Sequence, residues 1–547
     1  MSFSYNNPAQ PIADVTVAGV GTLRASGGTI TLDENYSPYV SASITIPLTS
    51  PDIGERIDPR ENQRVTVTVA DESDTVITPR VFDLGIRDRT VDHGQRTLTI
   101  EAASDEMRLH DTCRLATTSD RSARAYESSL RGIVNWALAK IGAALEPGGP
   151  DLDMTPSWDQ VNLILNSRAF IDTAGWGAAL QSPGAGSLSR RTATNVVEGA
   201  SIVSHLRLDV TAATPGWSVI QYRGDNVTEG RLYTASAWVR HNAATNYDTP
   251  LLIFTNEAGD VIKQYFGPRV DMPLFTWTKV AVTGVAPPNT RGFRVDFGVR
   301  GGMAAGGVVD VTGAVLAEGV ENDRWYDGDR PDETRYIYDY TPGAGTPSTR
   351  VALNPRDPEM FSWDPGESLF DFLRPFLESS GLRLYCDEAR KWWLVEPAAT
   401  NWSELVEAIA TGAGGYSGIG NAIAGTDVIS RDRADWATGV VVRYTWRTAN
   451  GDRKTKYDVA GTADKVITIE RETAYPGPGA AAAILAAVSQ RGRTQSATIT
   501  RGYEATPGFA SRVSLPGTDT QDGRVRRVVI EIATGNAQIS TNGTETP

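Results

Sequence analysis

Residues 363–397 read WDPGESLFDFLRPFLESSGLRLYCDEARKWWLVEP, and this stretch carries the signals of a complete helix-and-hairpin unit. Its apolar residues recur at the spacing of one helical face: Leu369, Phe372, Leu373, Phe376 and Leu377. Asp364 is the predicted N-cap, Pro365 suits the first helical position, and Glu367 can complete a capping box. Gly381 supplies the left-handed residue at which the helix ends.

Two short strands are predicted after this glycine, at residues 382–387 and 391–395, around a turn at 387–390. A helix followed by a hairpin buries a large apolar area in few residues. We therefore expect the unit at 363–397 to be the packing centre of its domain, without a role as an active site.

A second stretch resembles the first. Residues 127–141 form another amphipathic helix, and a shift of 239 residues places Ser129 on Ser368 and Gly142 on Gly381. An internal duplication explains this match. Two unrelated capped helices would share part of the same pattern, so both explanations stay open.

Composition excludes several classes of protein. The 547 residues are 40% hydrophobic and 22% charged, which is enough apolar material for packed cores along the whole chain. The formal net charge of −14 opposes binding to nucleic acid or to an anionic membrane. No apolar run reaches the ~18–20 residues of a membrane span, and the first residues do not form a signal peptide. We expect no specific nucleic-acid binding and no membrane span.

The pattern of strands and breakers predicts three parts and a mainly β fold with a few short helices. Residues 1–160 contain at least five alternating strands and the helix at 127–141, which is typical of a β-barrel or sandwich. Residues 161–329 contain about eight strand-like runs and no helix signal, which favours an inserted jelly roll. Residues 330–547 contain the helix-hairpin at 363–397, further strands and a helix after Pro478. The Gly/Ala-rich run 410–426 is predicted to be a loop.

Motifs for catalysis are absent from the sequence. The four histidines are scattered, and no H-E-x-x-H or paired-cysteine spacing occurs. Cys113 and Cys386 are expected to be reduced thiols. The sequence predicts a protein that is not an enzyme and has no cofactor.

The order of these parts resembles the tail-tip or baseplate hub proteins (minor tail proteins) of tailed bacteriophages. The resemblance rests on four places in the sequence: residues 98–109; 363–369 with 381–387; 475–485; and 507–508 with 513–517 and 523–530. It implies two related β-barrel domains and a homotrimeric ring in the virion, at the tail tip. Such a ring joins the tail tube, the distal tail protein and the tape-measure protein to tip or receptor-binding proteins.

The part at 161–329 resembles the carbohydrate-binding jelly rolls that are appended to phage tail proteins and glycosidases. The matching pieces are residues 162–166, Phe170 with 175–176, 233–239, 275–279, 309–316 and 325–329. The resemblance implies a structural calcium ion with Asp310 as a ligand. Ile171 stands where the family has an acidic residue, and this departure puts the calcium in doubt.

Aromatic residues near strand ends of this module are the candidates for stacking on sugar rings: Trp217, Tyr222, Tyr247 and Tyr265. Packing in the core is the alternative for each of them. The favoured function is a structural hub whose module binds host cell-wall carbohydrate. The alternatives are a receptor-binding adhesin that acts through residues 161–329, or a cell-wall glycoside hydrolase.

Overall fold

The computed structural model describes residues 11–50, 52–71, 79–167, 172–197, 200–242, 247–319, 325–328, 330, 332–340, 348–396, 401–413, 420–432, 436–448, 450–489, 491, 493–500 and 502–542. The chain divides into two compact units: unit 1 contains residues 1–155, 359–444 and 456–547, and unit 2 contains 156–358 and 445–455. The mainly β fold with short helices and an inserted β-sandwich is confirmed. No described helix combines the length and apolar character that crossing a membrane would need.

The described residues of the first part of unit 1 include seven strands. They are β1 Pro11–Val17, β2 Gly21–Arg24, β3 Gly27–Asp33, β4 Val40–Pro47, β5 Arg64–Asp71, β6 Arg80–Asp92 and β7 Thr97–Ala103. They agree with the prediction of at least five strands in residues 1–160.

The helices are short. They are α1 Asp52–Glu55, α2 Glu106–Asp111, α3 Leu130–Ala139, α4 Leu369–Ser380 and α5 Ala480–Ser489, with 3-10 turns at Pro59–Glu61, Ser122–Tyr126 and Pro358–Phe361.

The strands after α4 are β23 Arg383–Cys386, β24 Trp392–Val395, β25 Asn401–Ile409, β26 Ala422–Ile429, β27 Gly439–Arg447, β28 Arg453–Gly461, β29 Val466–Arg471, β30 Arg493–Ile499, β31 Phe509–Ser514, β32 Gln521–Glu531 and β33 Ala537–Asn542. Strand β26 occupies part of the run 410–426, so the prediction of a loop there is wrong for residues 422–426.

One sheet joins the two ends of the chain. Strands β1–β7 and the carboxyl-terminal strands β25, β26 and β30–β33 form a single 13-stranded sheet, with β3 paired antiparallel to β32. Two separate barrels were expected, but the pairing among the described strands does not close a barrel. One hydrophobic cluster contains residues of both halves, including Ile30, Val67, Val528 and Ile539.

A buried ion pair reinforces the junction between β3 and β32. Glu34 follows β3, and its carboxylate accepts hydrogen bonds from Arg524 at 2.7 Å and from Arg526. Arg80 of β6 makes a second link between the halves, because it binds the Glu388 carboxylate and the carbonyl oxygens of Tyr503 and Ala505.

Helix α4, in the unit at 363–397, has the predicted apolar face and the predicted end, but not the predicted start. All five apolar residues of the face are buried, and Gly381 is left-handed with φ of 66°. The prediction of Asp364 as the N-cap is wrong, because Ser368 caps the helix by accepting a 3.0 Å hydrogen bond from the Asp371 N–H. Asp364 instead donates its N–H to Glu367 in the preceding turn, at 3.0 Å.

Helices α3 and α4 share the features that the 239-residue shift aligns. Ser129 accepts from the Gly132 N–H at 2.9 Å, as Ser368 does from Asp371, and Gly142 is left-handed with φ of 71°. Asp151 adds a further bond to the start of α3, since it accepts from the Ser129 hydroxyl at 2.7 Å. Asp151 therefore stabilises the amino-terminal end of α3.

Unit 2 contains the inserted module and its flanks. Its strands are β8 Gln160–Asn162, β9 Trp176–Leu180, β10 Ala185–Val197, β11 Ala200–Ala212, β12 Ser218–Asp225, β13 Leu232–His241, β14 Tyr247–Asp248, β15 Leu251–Thr255, β16 Val261–Phe266, β17 Val270–Asp271, β18 Thr278–Val285, β19 Gly292–Val299, β20 Val308–Glu318, β21 Tyr336–Tyr340 and β22 Ser348–Ala352.

Two five-stranded antiparallel sheets form the sandwich. Sheet A has the order β10-β11-β20-β13-β18, and sheet B has the order β16-β15-β19-β12-β9. Apolar residues of both sheets pack between them, among them Leu208, Val239, Val295 and Val309. Strands β21, β22 and β8 form a separate small sheet in the same unit, so residues on both sides of the predicted 161–329 module belong to unit 2.

Candidate functional site

Strand alternation sorts the side chains of sheet A into two faces. Leu206 and Leu208 of β11, Val309 of β20 and Val239 of β13 point into the sandwich. Their chain neighbours on the same strands therefore point to the outer face. The outer face carries charged and aromatic side chains where the inner face carries aliphatic ones.

The strand register places a charged row across this outer face. Arg207 pairs with Asp310, Asp310 pairs with Arg240, and Ser189 pairs with Arg207. Trp277 continues the row, with the Arg240 guanidinium carbon 4.5 Å from its ring centroid. Side chains directly opposite one another on adjacent strands lie close enough to interact.

Asp310 is the centre of the row. Arg207 donates to its two oxygens at 2.8 and 3.0 Å, and Arg240 donates to Oδ2 at 3.0 and 2.7 Å. Burial alone would raise the pKa of Asp310, but hydrogen bonds from His205, Arg207 and Arg240 outweigh it and hold the pKa well below its ordinary value. The carboxylate is therefore ionised and fixes the orientation of both guanidinium groups.

A pocket of about 350 Å³ opens beside this row and is lined by Arg207, Arg240, His241, Asn242, Phe275, Val308 and Asp310. Phe275 is 70% exposed. Its backbone is left-handed, with φ of 57°, and its N–H donates to the His241 carbonyl at 2.9 Å. A bulky residue rarely adopts this conformation unless its surroundings hold it there. The structure thus places an exposed aromatic ring in the lining of a polar pocket.

Two further polar side chains of the pocket, His241 and Asn242, are oriented by hydrogen bonds to the backbone. His241 is buried and its Nε2 lies 3.0 Å from the Met272 carbonyl oxygen, while the Asn242 side-chain oxygen accepts from the Val308 N–H at 2.7 Å. An aromatic wall with a few oriented polar groups is the chemistry that sugar-binding pockets use.

The predicted sugar-contacting residues lie elsewhere. Tyr222 is in the core, 3% exposed, between Trp176 and Phe293, so the prediction of a sugar contact by Tyr222 is wrong. The alternation of β12 explains the error, because Tyr222 lies on its inner face.

Tyr265 packs partly against the core of the sandwich, and its hydroxyl donates to the Val285 carbonyl at 2.8 Å. Trp217 and Tyr247 are not among the residues that line the pocket, and the Arg269 guanidinium carbon lies 3.8 Å from the Tyr247 ring centroid. Sugar contacts by Tyr265, Trp217 and Tyr247 stay predictions.

Asp310, the predicted calcium ligand, is surrounded by positively charged side chains. Two guanidinium groups occupy its oxygens, and their positive charge opposes a cation there. No group of three or more His, Cys, Asp or Glu side chains suited to a metal ion occurs in the part of the chain that the structure describes. Phe170 and Ile171, on which the calcium argument also depends, lie outside the described residues.

Comparison with known proteins gives matches of low similarity. No protein-family model matches the sequence, and no curated protein matches it. The 43 kDa tail protein of prophage MuSo2 from Shewanella oneidensis is 8% identical, with 97% of this chain and 98% of that chain covered and a TM-score of 0.39. The tail protein from Neisseria meningitidis MC58 is 9% identical, with 97% and 96% covered and a TM-score of 0.39.

Other solved structures match a part of this chain. The C-terminal family 22 carbohydrate-binding module of Clostridium thermocellum Xyn10B is 15% identical over 28% of this chain and 94% of that chain, with a TM-score of 0.20. The match to the enzymatically active domain of tailspike protein 4 of bacteriophage CBA120 spans 21% of that chain. Similarity at this level leaves the function to be argued from the residues of this chain.

Proposed function

We propose that this chain is a structural protein of the tail of a tailed bacteriophage, and that within the tail it is the homotrimeric hub at the tip. The observation that carries the proposal is where the hub-like sequence lies. All four places that resemble the hub family, from residues 98–109 to 523–530, fall in unit 1, although 203 residues (156–358) separate the first from the others.

The sheet of unit 1 explains how this separation is tolerated. Because β3 pairs with β32, the two halves of the unit form one sheet and one hydrophobic cluster. The chain passes from unit 1 into unit 2 after residue 155, and it re-enters unit 1 at residue 359. A hub built in this way keeps its scaffold while it carries a second module.

Exposed apolar residues on an edge strand support assembly. Strand β26 is at one end of the 13-stranded sheet, and Ile423, Val428 and Ile429 on it are exposed, Ile429 at 76%. Unpaired edges with apolar side chains tend to pair with another chain unless they are covered. In the proposed hub, a neighbouring subunit covers this edge. Distal tail protein, tape-measure protein and tip proteins are the further partners.

Aspartate at both Ile423 and Ile429 tests this interface. We expect the double variant to remain folded, because both side chains are exposed, and to lose the trimer in native mass spectrometry. Leu115→Asp is the control, since Leu115 is fully exposed in a loop of the same unit. A trimer that survives both aspartates would show that β26 is outside the interface.

A second function, binding of saccharide by unit 2, is favoured by the pocket beside Asp310. The exposed ring of Phe275 and the oriented donors of Arg207 and Arg240 provide a stacking surface and hydrogen bonds. Such a module gives the hub an adhesin role at the host cell wall, and no step of it requires catalysis.

Binding of the full chain to isolated host cell walls tests this second function. Phe275→Ala should weaken binding, because it removes the stacking surface. Phe266→Ala, which removes an exposed ring from an edge strand of sheet B, should leave it unchanged. Equal binding by wild type and Phe275→Ala would exclude the pocket as the site. Clearing of cell walls in a zymogram would instead support the hydrolase.

A further inference from the structure

A second row of side chains runs beside the charged row on the outer face of sheet A. Arg191 pairs with His205 on the neighbouring strand, and Trp238 pairs with both Thr312 and Lys279. His205 contacts both rows, because its Nε2 lies 3.5 Å from Asp310 and its ring lies edge-on to Trp277. The second row is mostly buried, because His205 and Thr312 are 2% and 1% exposed and Trp238 packs against the cluster that contains Trp325 and Tyr326. The charged row beside the pocket is therefore the surface that a ligand can reach.

The charge of this surface differs in sign from the charge of the chain. Arg207 and Arg240 contribute two positive charges to the charged row, and Asp310 contributes one negative charge. Asp209 neutralises Arg191 across 3.1 Å. The surface therefore keeps a positive excess on a protein whose formal net charge is −14.

Both arginines of the pocket have hydrogen-bonding capacity left over. Arg207 and Arg240 each use Nε and Nη2 for Asp310. Within the described residues, no protein acceptor is found for Nη1 of either side chain. Asp310 thus fixes two guanidinium groups whose remaining N–H groups are available beside the Phe275 ring. Fixed guanidinium groups suit carboxylates and phosphates, because they offer charge-assisted hydrogen bonds.

We infer that this surface binds an anionic saccharide, a sugar polymer whose rings carry carboxylate or phosphate groups. This inference rests on the saccharide-binding function proposed above. The sugar ring stacks on Phe275, and the anionic group accepts hydrogen bonds from Arg207 and Arg240. A neutral polymer would leave the positive excess without a counter-charge.

Affinity electrophoresis of the full chain in gels that contain a defined polymer tests the inference. Polygalacturonate supplies carboxylates, polyglycerol phosphate supplies phosphates, and pullulan is the neutral polymer. We expect retardation by at least one anionic polymer and none by pullulan, with loss of retardation at high salt as charges are screened. Comparing the two anionic polymers identifies the group that is recognised.

Arg240→Gln should weaken binding about ten- to a hundredfold, the usual loss for a charge-assisted hydrogen bond. Phe275→Ala should weaken it about three- to tenfold and cannot disturb the core, because its ring is exposed. Arg223→Gln is the matched control, since Arg223 is an exposed arginine of sheet B in the same unit. Retention of anionic binding by Arg240→Gln and Phe275→Ala would overturn the assignment of the site.

Two further results separate an error about the anionic ligand from an error about saccharide binding itself. Binding of pullulan that Phe275→Ala abolishes would leave saccharide binding in place and exclude an anionic ligand. If none of the three polymers and no host cell wall bound the chain, both the inference and the saccharide function would be wrong.

Discussion

Glu34 provides a stringent test of how the two halves of unit 1 are joined. Its carboxylate is the shared partner of Arg524 and Arg526, and its side chain is 6% exposed. Glu34→Ala leaves both guanidinium groups at the β3–β32 junction without their counter-charge. Removing one partner of a buried ion pair costs about 3–5 kcal/mol. Arg526 retains some solvent contact, so we expect a loss near the lower value, about 3 kcal/mol.

Differential scanning calorimetry of the full chain measures this loss. One kcal/mol shifts the midpoint of a domain of this size by about 2 °C, so Glu34→Ala should lower the unfolding midpoint of unit 1 by about 6 °C. Glu34→Gln should cost less, because its amide oxygen still accepts one hydrogen bond. Glu61→Ala, at an exposed glutamate of the same unit, should change the free energy of unfolding by less than about 0.5 kcal/mol.

Equal unfolding midpoints of unit 1 in Glu34→Ala and Glu61→Ala would contradict this prediction. That result would mean that the ion pair does not stabilise the junction, and that the apolar cluster alone holds the two halves together. A loss seen in the transition of unit 2 instead of unit 1 would also contradict it.

Three further changes test other parts of the structure. Ser368→Ala should cost about 1 kcal/mol in urea unfolding, because the hydroxyl caps α4, whereas Asp364→Ala should cost less. Tyr222→Ala should destabilise unit 2 by about 3–5 kcal/mol, as expected for an aromatic residue of the core, and should not change saccharide affinity in the folded protein. Burial raises the pKa of Asp248 to about 7, from an ordinary value of 3.8. Its protonated form therefore stabilises the fold below pH 3.8, and this contribution is lost as pH rises towards 7. Asp248→Asn should gain stability relative to wild type between pH 4 and 7, by up to about 1.4 kcal/mol per pH unit.

For each of these three predictions, one result would contradict it. An equal loss for Asp364→Ala and Ser368→Ala would restore Asp364 as part of the cap. Wild-type stability of Tyr222→Ala would place that ring outside the core. A constant difference in free energy between Asp248→Asn and wild type from pH 4 to 7 would mean that Asp248 titrates normally.

Local signals in the sequence predicted local structure well. The apolar spacing from Leu369 to Leu377 and the stop at Gly381 depend on neighbouring residues alone, and both are confirmed. The N-cap was wrong because Asp364 and Ser368 both have a suitable side chain and both precede an acidic residue by three positions. Strand β26 was missed because its small and exposed residues lack the alternation of a half-buried strand.

Long-range pairing could not be predicted from the same signals. Glu34 and Arg526 are separated by 492 residues, and nothing in the pattern of either strand specifies that β3 pairs with β32. The pocket also depends on long-range pairing, because Arg207, Asp310 and Arg240 lie on three strands that are far apart in sequence. Alternation indicates which residues of one strand share a face, but the register that places these three side by side exists only in the folded sheet.

The native mass of the full-length chain tests the central claim most directly. A homotrimeric hub of 58.8 kDa subunits should appear at three times that mass, and the variant with aspartate at Ile423 and Ile429 should appear as a monomer. A wild-type chain that stays at the monomer mass at every concentration, and that is absent from purified virions, would contradict the proposed hub.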